Sequence, residues 1–209
     1  SQVRAALFER SRGLLSNAIH DKKVLIAGVG SVGSYLSEQL VRSGVGHLTI
    51  VDPDTVEASN LARTSYSLAD LGQPKVCSLK RRILNLNPSA QVETHTVDIV
   101  AMARQRPREF NLLIQQMDLI IAATDDPEAQ RLLNHFSYAR NCPALFIGLY
   151  AGAQGGEVVI SQPGQTACFV CATINRHQME EQAGQVSPSV DYGTGRLQGE
   201  VALAADIHH

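Results

Sequence analysis

Short, almost unbroken apolar runs recur along this chain, and between them hydrophobic side chains come at helical spacing. Residues 24–27 and 119–123 are wholly apolar, the pattern of strands buried on both faces, and 47–51 and 144–149 predict two more strands. Residues 92–97 set Val and Thr around Glu93 and His95, a half-exposed strand toward the sheet edge. Val32, Leu36 and Leu40 share one face of a helix over 31–42, which Gly44 and Gly46 end. Val76, Leu79, Ile83 and Leu86 do the same over 75–86, with Pro74 at the start and Asn87-Pro88 as the stop. Residues 98–116 read as helical in parts, interrupted at Pro107, and 127–140 as one further helix. Strand and helix alternate, and adjacent strands at 144–149 and 154–161 follow. That order predicts an α/β fold with a doubly wound, mostly parallel sheet, helices on both faces and an antiparallel extension. Residues 2–19, with Val3, Leu7, Leu14, Leu15 and Ile19 among Arg and Glu, predict an amphipathic helical arm, so the chain divides into an arm at 1–20 and one domain at 21–209.

Composition narrows the class. With 209 residues, 44% hydrophobic and 18% charged, the chain can bury a sizeable core as one soluble domain with additions. A net charge of -2 gives no electrostatic footprint for nucleic acid, and Lys80-Arg81-Arg82 reads as the solvated face of a helix. No apolar segment is long enough to span a bilayer, and Arg4, Glu9, Arg10 and Arg12 break any N-terminal signal pattern, so no membrane partner and a cytoplasmic location are expected. Cys77, Cys142, Cys168 and Cys171 are too few and too uneven for a disulfide framework, and are expected reduced or metal-bound. Residues 176–198, rich in Gln, Glu, Ser and Gly, read as a crossing loop, and 199–209 as a helix cut short, which predicts further sequence beyond His209.

Candidate chemistry gathers at the strand ends. Gly28, Gly30 and Gly33 follow 24–27 at G-x-G-x-x-G spacing and lead into helix 31–42, a Rossmann-like nucleotide signature. Gly28 permits the tight turn, Gly30 lets main chain approach a phosphate, and Gly33 lets the helix pack closely, its N-terminus facing the phosphates. A glycine turn without a ligand is the alternative. Asp52 ends the second strand, where a carboxylate accepts from ribose hydroxyls. The polar loop at 53–73 is longer than such a unit needs; it bears Asn60 and Arg63 and leads to Lys75. Thr124-Asp125-Asp126-Pro127 brings a second carboxylate to the same crevice, one of the two aspartates capping the next helix and the other free. Arg63 and Lys75 can neutralise phosphates, Asn60 can hydrogen-bond them, and Asp125 can hold Mg²⁺, a set that suits a triphosphate. An NAD(P)-dependent oxidoreductase is the alternative, although no residue near the strand ends nominates its acid or base. A nucleotide-binding scaffold without chemistry is another. Cys168 and Cys171 form one C-x-x-C knuckle, half of a four-ligand Zn²⁺ site that His177 or a second pair beyond His209 would complete. A redox dithiol is disfavoured because the motif does not open a helix in a thioredoxin-like context, and a purely structural pair remains the third reading.

Taken together, GVGSVGS at 28–34, GVGHLTIVDPDTVEASNLAR at 44–63, GQPK at 72–75, NP at 87–88, DLIIAATDD at 118–126 and the CFVC knuckle resemble the ThiF/MoeB/HesA adenylyltransferases, relatives of the ubiquitin-activating enzymes. The resemblance covers most of the chain. It implies ATP-dependent adenylylation of the C-terminal glycine carboxylate of a ubiquitin-like or sulfur-carrier protein ending in Gly-Gly, giving acyl-adenylate and pyrophosphate. It implies a nucleotide site made of Gly28, Gly30, Ser31, Gly33, Asp52, Asp54, Asn60, Arg63, Lys75 and Asp125, with Asp52 on the ribose, Asn60, Arg63 and Lys75 on the phosphates, and Asp125 on Mg²⁺. It also implies a homodimer in which Arg12, with Arg10 in reserve, reaches the phosphates of the neighbouring subunit, so that Arg12, Arg63, Lys75 and Asp125 form the catalytic set. Zinc on Cys168 and Cys171 is implied where a second ligand pair exists. Thr64 stands where relatives often carry glutamine. No cysteine falls within 176–198, which leaves no candidate thioester nucleophile and has the reaction stop at the adenylate.

Overall fold

Each apolar run becomes a strand of one six-stranded sheet in the computed structural model, which describes residues 7–8, 17–149 and 155–173. Most of the predicted arm, with Arg10 and Arg12, lies outside the described residues, as do His177, the loop at 176–198 and the helix at 199–209. The strands are β1 (Lys23–Ala27), β2 (His47–Val51), β3 (Gln91–His95), β4 (Leu119–Ala122), β5 (Ala144–Leu149) and β6 (Gly156–Ser161). They lie in the order β3-β2-β1-β4-β5-β6, parallel except for β6, which pairs antiparallel with β5. Strand β1 is central: Val24 sits between Leu48 and Leu119, and Ala27 between Val51 and Ala122.

Among the described residues six helices cover the two faces. Helices α1 (Ser31–Arg42) and α2 (Lys75–Leu86) bury Val41, Val76, Leu79 and Ile83 against Val24, Ile26, Leu48 and Ile50. On the other face α3 (Ile99–Gln105), α4 (Pro107–Gln115), α5 (Pro127–Ala139) and α6 (Phe169–Ala172) pack Met102, Phe110, Ile114, Leu133 and Phe169 against Leu25, Ile120 and Phe146. Successive β1 side chains thus feed two cores, which is why an unbroken apolar run is required there; each such side chain fully buried contributes roughly 1.5–3 kcal/mol. The fold is therefore the predicted doubly wound sheet with its antiparallel extension. Among the described residues no helix is long and apolar enough to cross a membrane.

Three local readings change. Helix α1 buries Gly33, Ser34, Ser37 and Val41, whereas Leu36 and Leu40 are only partly covered. The helix approaches so closely that a Cβ on Gly33 would fall 2.0 Å from the Gly28 carbonyl oxygen, and only small side chains fit that line. The basic run on α2 is engaged: Arg81 donates to Asp70 at 2.5 Å and Arg82 to Glu38 of α1 at 2.9 Å. The 53–73 loop holds two 3-10 turns, Ala58–Asn60 and Leu68–Asp70, and a bridge from Thr55 to Pro74, and it buries Val56 and Tyr66 in the core under α1 and α2.

Candidate nucleotide site

The chain builds outward from β1 through β2 to β3 and then returns to place β4 on the other side of β1. Parallel sheets bind ligands outside the carboxyl ends of their strands where the order reverses, here after Ala27 and Ala122. Gly28 turns the chain there with φ of 86°. A Cβ on it would meet the Ala123 carbonyl oxygen at 2.6 Å, so the turn lies directly against the end of β4. A Cβ built on Gly30 meets nothing within 4 Å, which is the open cradle that close approach of a phosphate needs. Gly30 is also the N-cap of α1 and supplies no capping side chain, so first-turn N–H groups are left for an anion.

Asp52 follows β2 and is 5% exposed. Its Oδ2 accepts from Val29 N–H at 2.8 Å and its Oδ1 from Asp54 N–H at 2.9 Å. Burial pushes its carboxyl above the ordinary value, against the opposing pull of the Lys75 ammonium and the two N–H donors. Each oxygen keeps a lone pair for a ribose hydroxyl, but the carboxylate also braces the glycine turn, a second duty that spacing along the chain does not reveal. Lys75 is buried, and its Nζ sits 2.7 Å from Asp54 Oδ2. The expected phosphate cation is thus already paired, and Asp54 acts on Lys75. Asn60 is buried and accepts from Glu57 N–H through Oδ1 at 3.0 Å, so its side chain braces its own turn.

Arg63 donates from Nη1 to Ser31 Oγ at 2.7 Å, which sets the guanidinium at the first turn of α1. Its Nε is buried and has no partner among the described residues. The guanidinium edge held at that turn is the kind of group that meets an oxyanion in a phosphate cradle. Thr64, in the position where glutamine is often found, closes its turn by donating from Oγ1 to the Asn60 carbonyl at 2.8 Å.

The two aspartates after β4 divide their work. Asp126 caps α5, accepting from Glu128 N–H at 2.9 Å and Ala129 N–H at 3.2 Å. Asp125 is exposed and holds no hydrogen bond or ion pair among the described residues. Buried Gln130 donates to the Thr124 carbonyl at 2.9 Å and fixes this strand end. A lone carboxylate beside a phosphate cradle matches Mg²⁺, which binds through one or two carboxylates, phosphate oxygens and water.

Cys168 and Cys171 sit apart from this crevice, beside α5, where Asn134 Oδ1 accepts from Phe169 N–H at 2.9 Å. The knuckle opens a helix of a single turn, with Cys168 as its N-cap accepting from Cys171 N–H at 3.3 Å. Burial pushes the Cys168 thiol up, but hydrogen bonds, led by that of Cys171 N–H, outweigh it and hold the thiol below its ordinary value. Both cysteines border a concavity of about 810 Å³ that also touches Arg131, His135 and Tyr138. Two thiols fit half of a Zn²⁺ site, and among the described residues no third His, Cys, Asp or Glu joins them.

The geometry thus gathers Gly28, Gly30, Ser31, Gly33, Asp52 and Arg63 around the ends of β1 and β2, with Asp125 at the adjoining end of β4, while Arg12 lies outside the described residues. The sequence profile of the ThiF family matches residues 2–204. The chain is 34% identical to the ubiquitin-like modifier-activating enzyme 5 of Caenorhabditis briggsae over 158 residues, which are 73% of this chain and 37% of that protein. It is 33% identical to the protein of the same name from Drosophila ananassae over 163 residues, 74% of this chain and 40% of that one. It therefore spans about two fifths of the length of these curated relatives. Among solved structures, Escherichia coli MccB with ATP shares the fold, with a TM-score of 0.66 over 82% of this chain and 50% of that chain at 24% identity. PaaA gives a TM-score of 0.54 over 63% of this chain and 39% of that chain at 28% identity.

Proposed function

The chain belongs to the ThiF family, and from that premise we propose that it uses ATP to adenylylate the C-terminal glycine carboxylate of a ubiquitin-like or sulfur-carrier protein. The observation that carries this reading is the Arg63 guanidinium held by Ser31 at the first turn of α1, next to the open cradle of Gly30. In the proposed reaction a carboxylate oxygen of the partner protein attacks the α-phosphorus. An O–P bond forms, the bridging bond to the β-phosphate breaks, and pyrophosphate leaves with the electron pair. The attacking carboxylate is already ionised, so no general base is needed. Asp52 would hold the ribose, the first turn of α1 and Asn60 the phosphates, and Arg63 and Lys75 the charge that moves onto pyrophosphate. Asp125 would hold Mg²⁺, which supplies further charge neutralisation there. We also assign Arg12 to the active site of a partner subunit in a homodimer, Cys168 and Cys171 to half of a zinc site, and the enzyme to the cytoplasm.

The test is exchange of labelled pyrophosphate into ATP in the presence of a small protein ending in Gly-Gly. Exchange that depends on that carboxylate and on Mg²⁺ is expected. Tight NAD binding with no ATP binding in calorimetry overturns the reading in favour of an oxidoreductase, and ATP binding without exchange by any such partner reduces it to a scaffold.

A further inference from the structure

The four residues that follow Asn60 and the turn at Leu61–Ala62 lie along the glycine turn as a clasp. Arg63 Nη1 donates to Ser31 Oγ at 2.7 Å, and Tyr35 Oη donates to the Thr64 carbonyl at 2.9 Å. Ser65 N–H donates to Ser34 Oγ at 3.2 Å, and Tyr66 Oη donates to the Val29 carbonyl at 2.8 Å. Four consecutive residues are thus each bonded to the segment between Val29 and Tyr35. Tyr66 is 5% exposed and packs in the core under α1 and α2, so its hydroxyl is carried on a ring that cannot swing away. Val29 is held from both sides, its N–H by Asp52 and its carbonyl by Tyr66.

The bonds of residues 64–66 fix the backbone that follows Arg63. An arginine on a long polar loop has many rotamers and a mobile main chain, and both must be ordered before its guanidinium can meet a phosphate. We propose that Tyr66 and Tyr35 are positioning residues that hold Arg63 in place at the first turn of α1 before nucleotide arrives. The Tyr35 hydroxyl holds the main chain at Thr64, the Tyr66 hydroxyl ties the far end of the clasp to the Val29 carbonyl, and Ser31 sets the guanidinium. The inference rests on the reading of this crevice as an ATP site.

It is tested by a double-mutant cycle on ATP–Mg²⁺ affinity, measured by calorimetry, with Tyr66→Phe, Tyr35→Phe and Arg63→Ala. Each Tyr→Phe change removes one hydroxyl and keeps the ring. A buried hydrogen bond is worth about 1 kcal/mol, so each change should weaken ATP about fivefold in the wild-type background. In the Arg63→Ala background the same changes should cost less than about twofold, because the group they position is gone. A merely structural role for the tyrosines gives the full fivefold loss in both backgrounds and overturns the inference, as does unchanged affinity of both single variants. Should Tyr66→Phe fail to fold, Tyr35→Phe decides alone, since Tyr35 is 49% exposed and its ring is not needed in the core. Failure of the wild-type protein to bind ATP removes the underlying functional reading itself, a result distinct from additive losses in a protein that does bind.

Discussion

Asp125 and Asp126 are adjacent in sequence and opposite in expected phenotype. Asp125→Ala removes no bond made among the described residues, so the melting temperature should stay within about 2 °C of wild type while carboxylate-dependent pyrophosphate exchange falls at least a hundredfold. Asp126→Ala removes a cap from α5, so thermal unfolding should reveal a loss of about 1 kcal/mol while ATP affinity is kept. From spacing alone the pair shows only that one carboxylate caps and the other is spare. Which one does which depends on the direction the chain leaves β4, set by the Thr124 hydroxyl accepting from Asp126 N–H at 3.2 Å and by Gln130. Asp52 carries a related lesson. Its place at a strand end is legible, but its hydrogen bonds to Val29 and Asp54 are not, so Asp52→Ala should cost both ATP affinity and about 2 kcal/mol of stability in urea unfolding.

Among elements, helix α1 shows how far patterning reaches and where it stops. Glycine signals place both ends of Ser31–Arg42, and proline and asparagine do the same for Lys75–Leu86. Periodicity points to Leu36 and Leu40 as the inner face of α1, yet the inner face is Gly33, Ser34 and Ser37, because the approach to the glycine turn leaves no room for leucine. Gly33→Ala should therefore destabilise by about 3 kcal/mol or prevent folding, since the new methyl has only backbone to move. A Cβ from Gly30→Ala meets no protein atom within 4 Å but enters the cradle, so ATP affinity should fall by about tenfold or more in calorimetry. The loop at 53–73 is legible as long and polar, but what orders it is not: Asp70 accepts from Ser67 N–H at 2.9 Å and from Arg81 at 2.5 Å, and Tyr66 anchors the middle.

Across the molecule, buried carboxylates make stability depend on pH in opposing senses. Burial pushes Asp70 up, but its bonds from Ser67 and Arg81 outweigh that and hold it below 3.8. Its contribution is therefore present above pH 4 and lost as pH falls through the lowered value. Asp70→Asn should be about 2 kcal/mol less stable than wild type at pH 7 and converge with it in urea unfolding as the pH drops toward 2. Asp52 has the reverse sign: its raised carboxyl stabilises the ligand-free fold when protonated, and that contribution is lost as pH rises through the raised value. The placement of β1 in the middle of the sheet has one more outcome, and it concerns time. The glycine turn closes against the Ala123 carbonyl, a partner that lies far along the chain on β4, so its closing is a long-range event of the slow kind. A ribosome that has released the chain only as far as residue 110 or so displays all three glycines, Asp52, Arg63 and Lys75, and still offers nucleotide no finished crevice. On the proposed reading, ATP can reward the chain for folding only after β4 has slipped in beside β1.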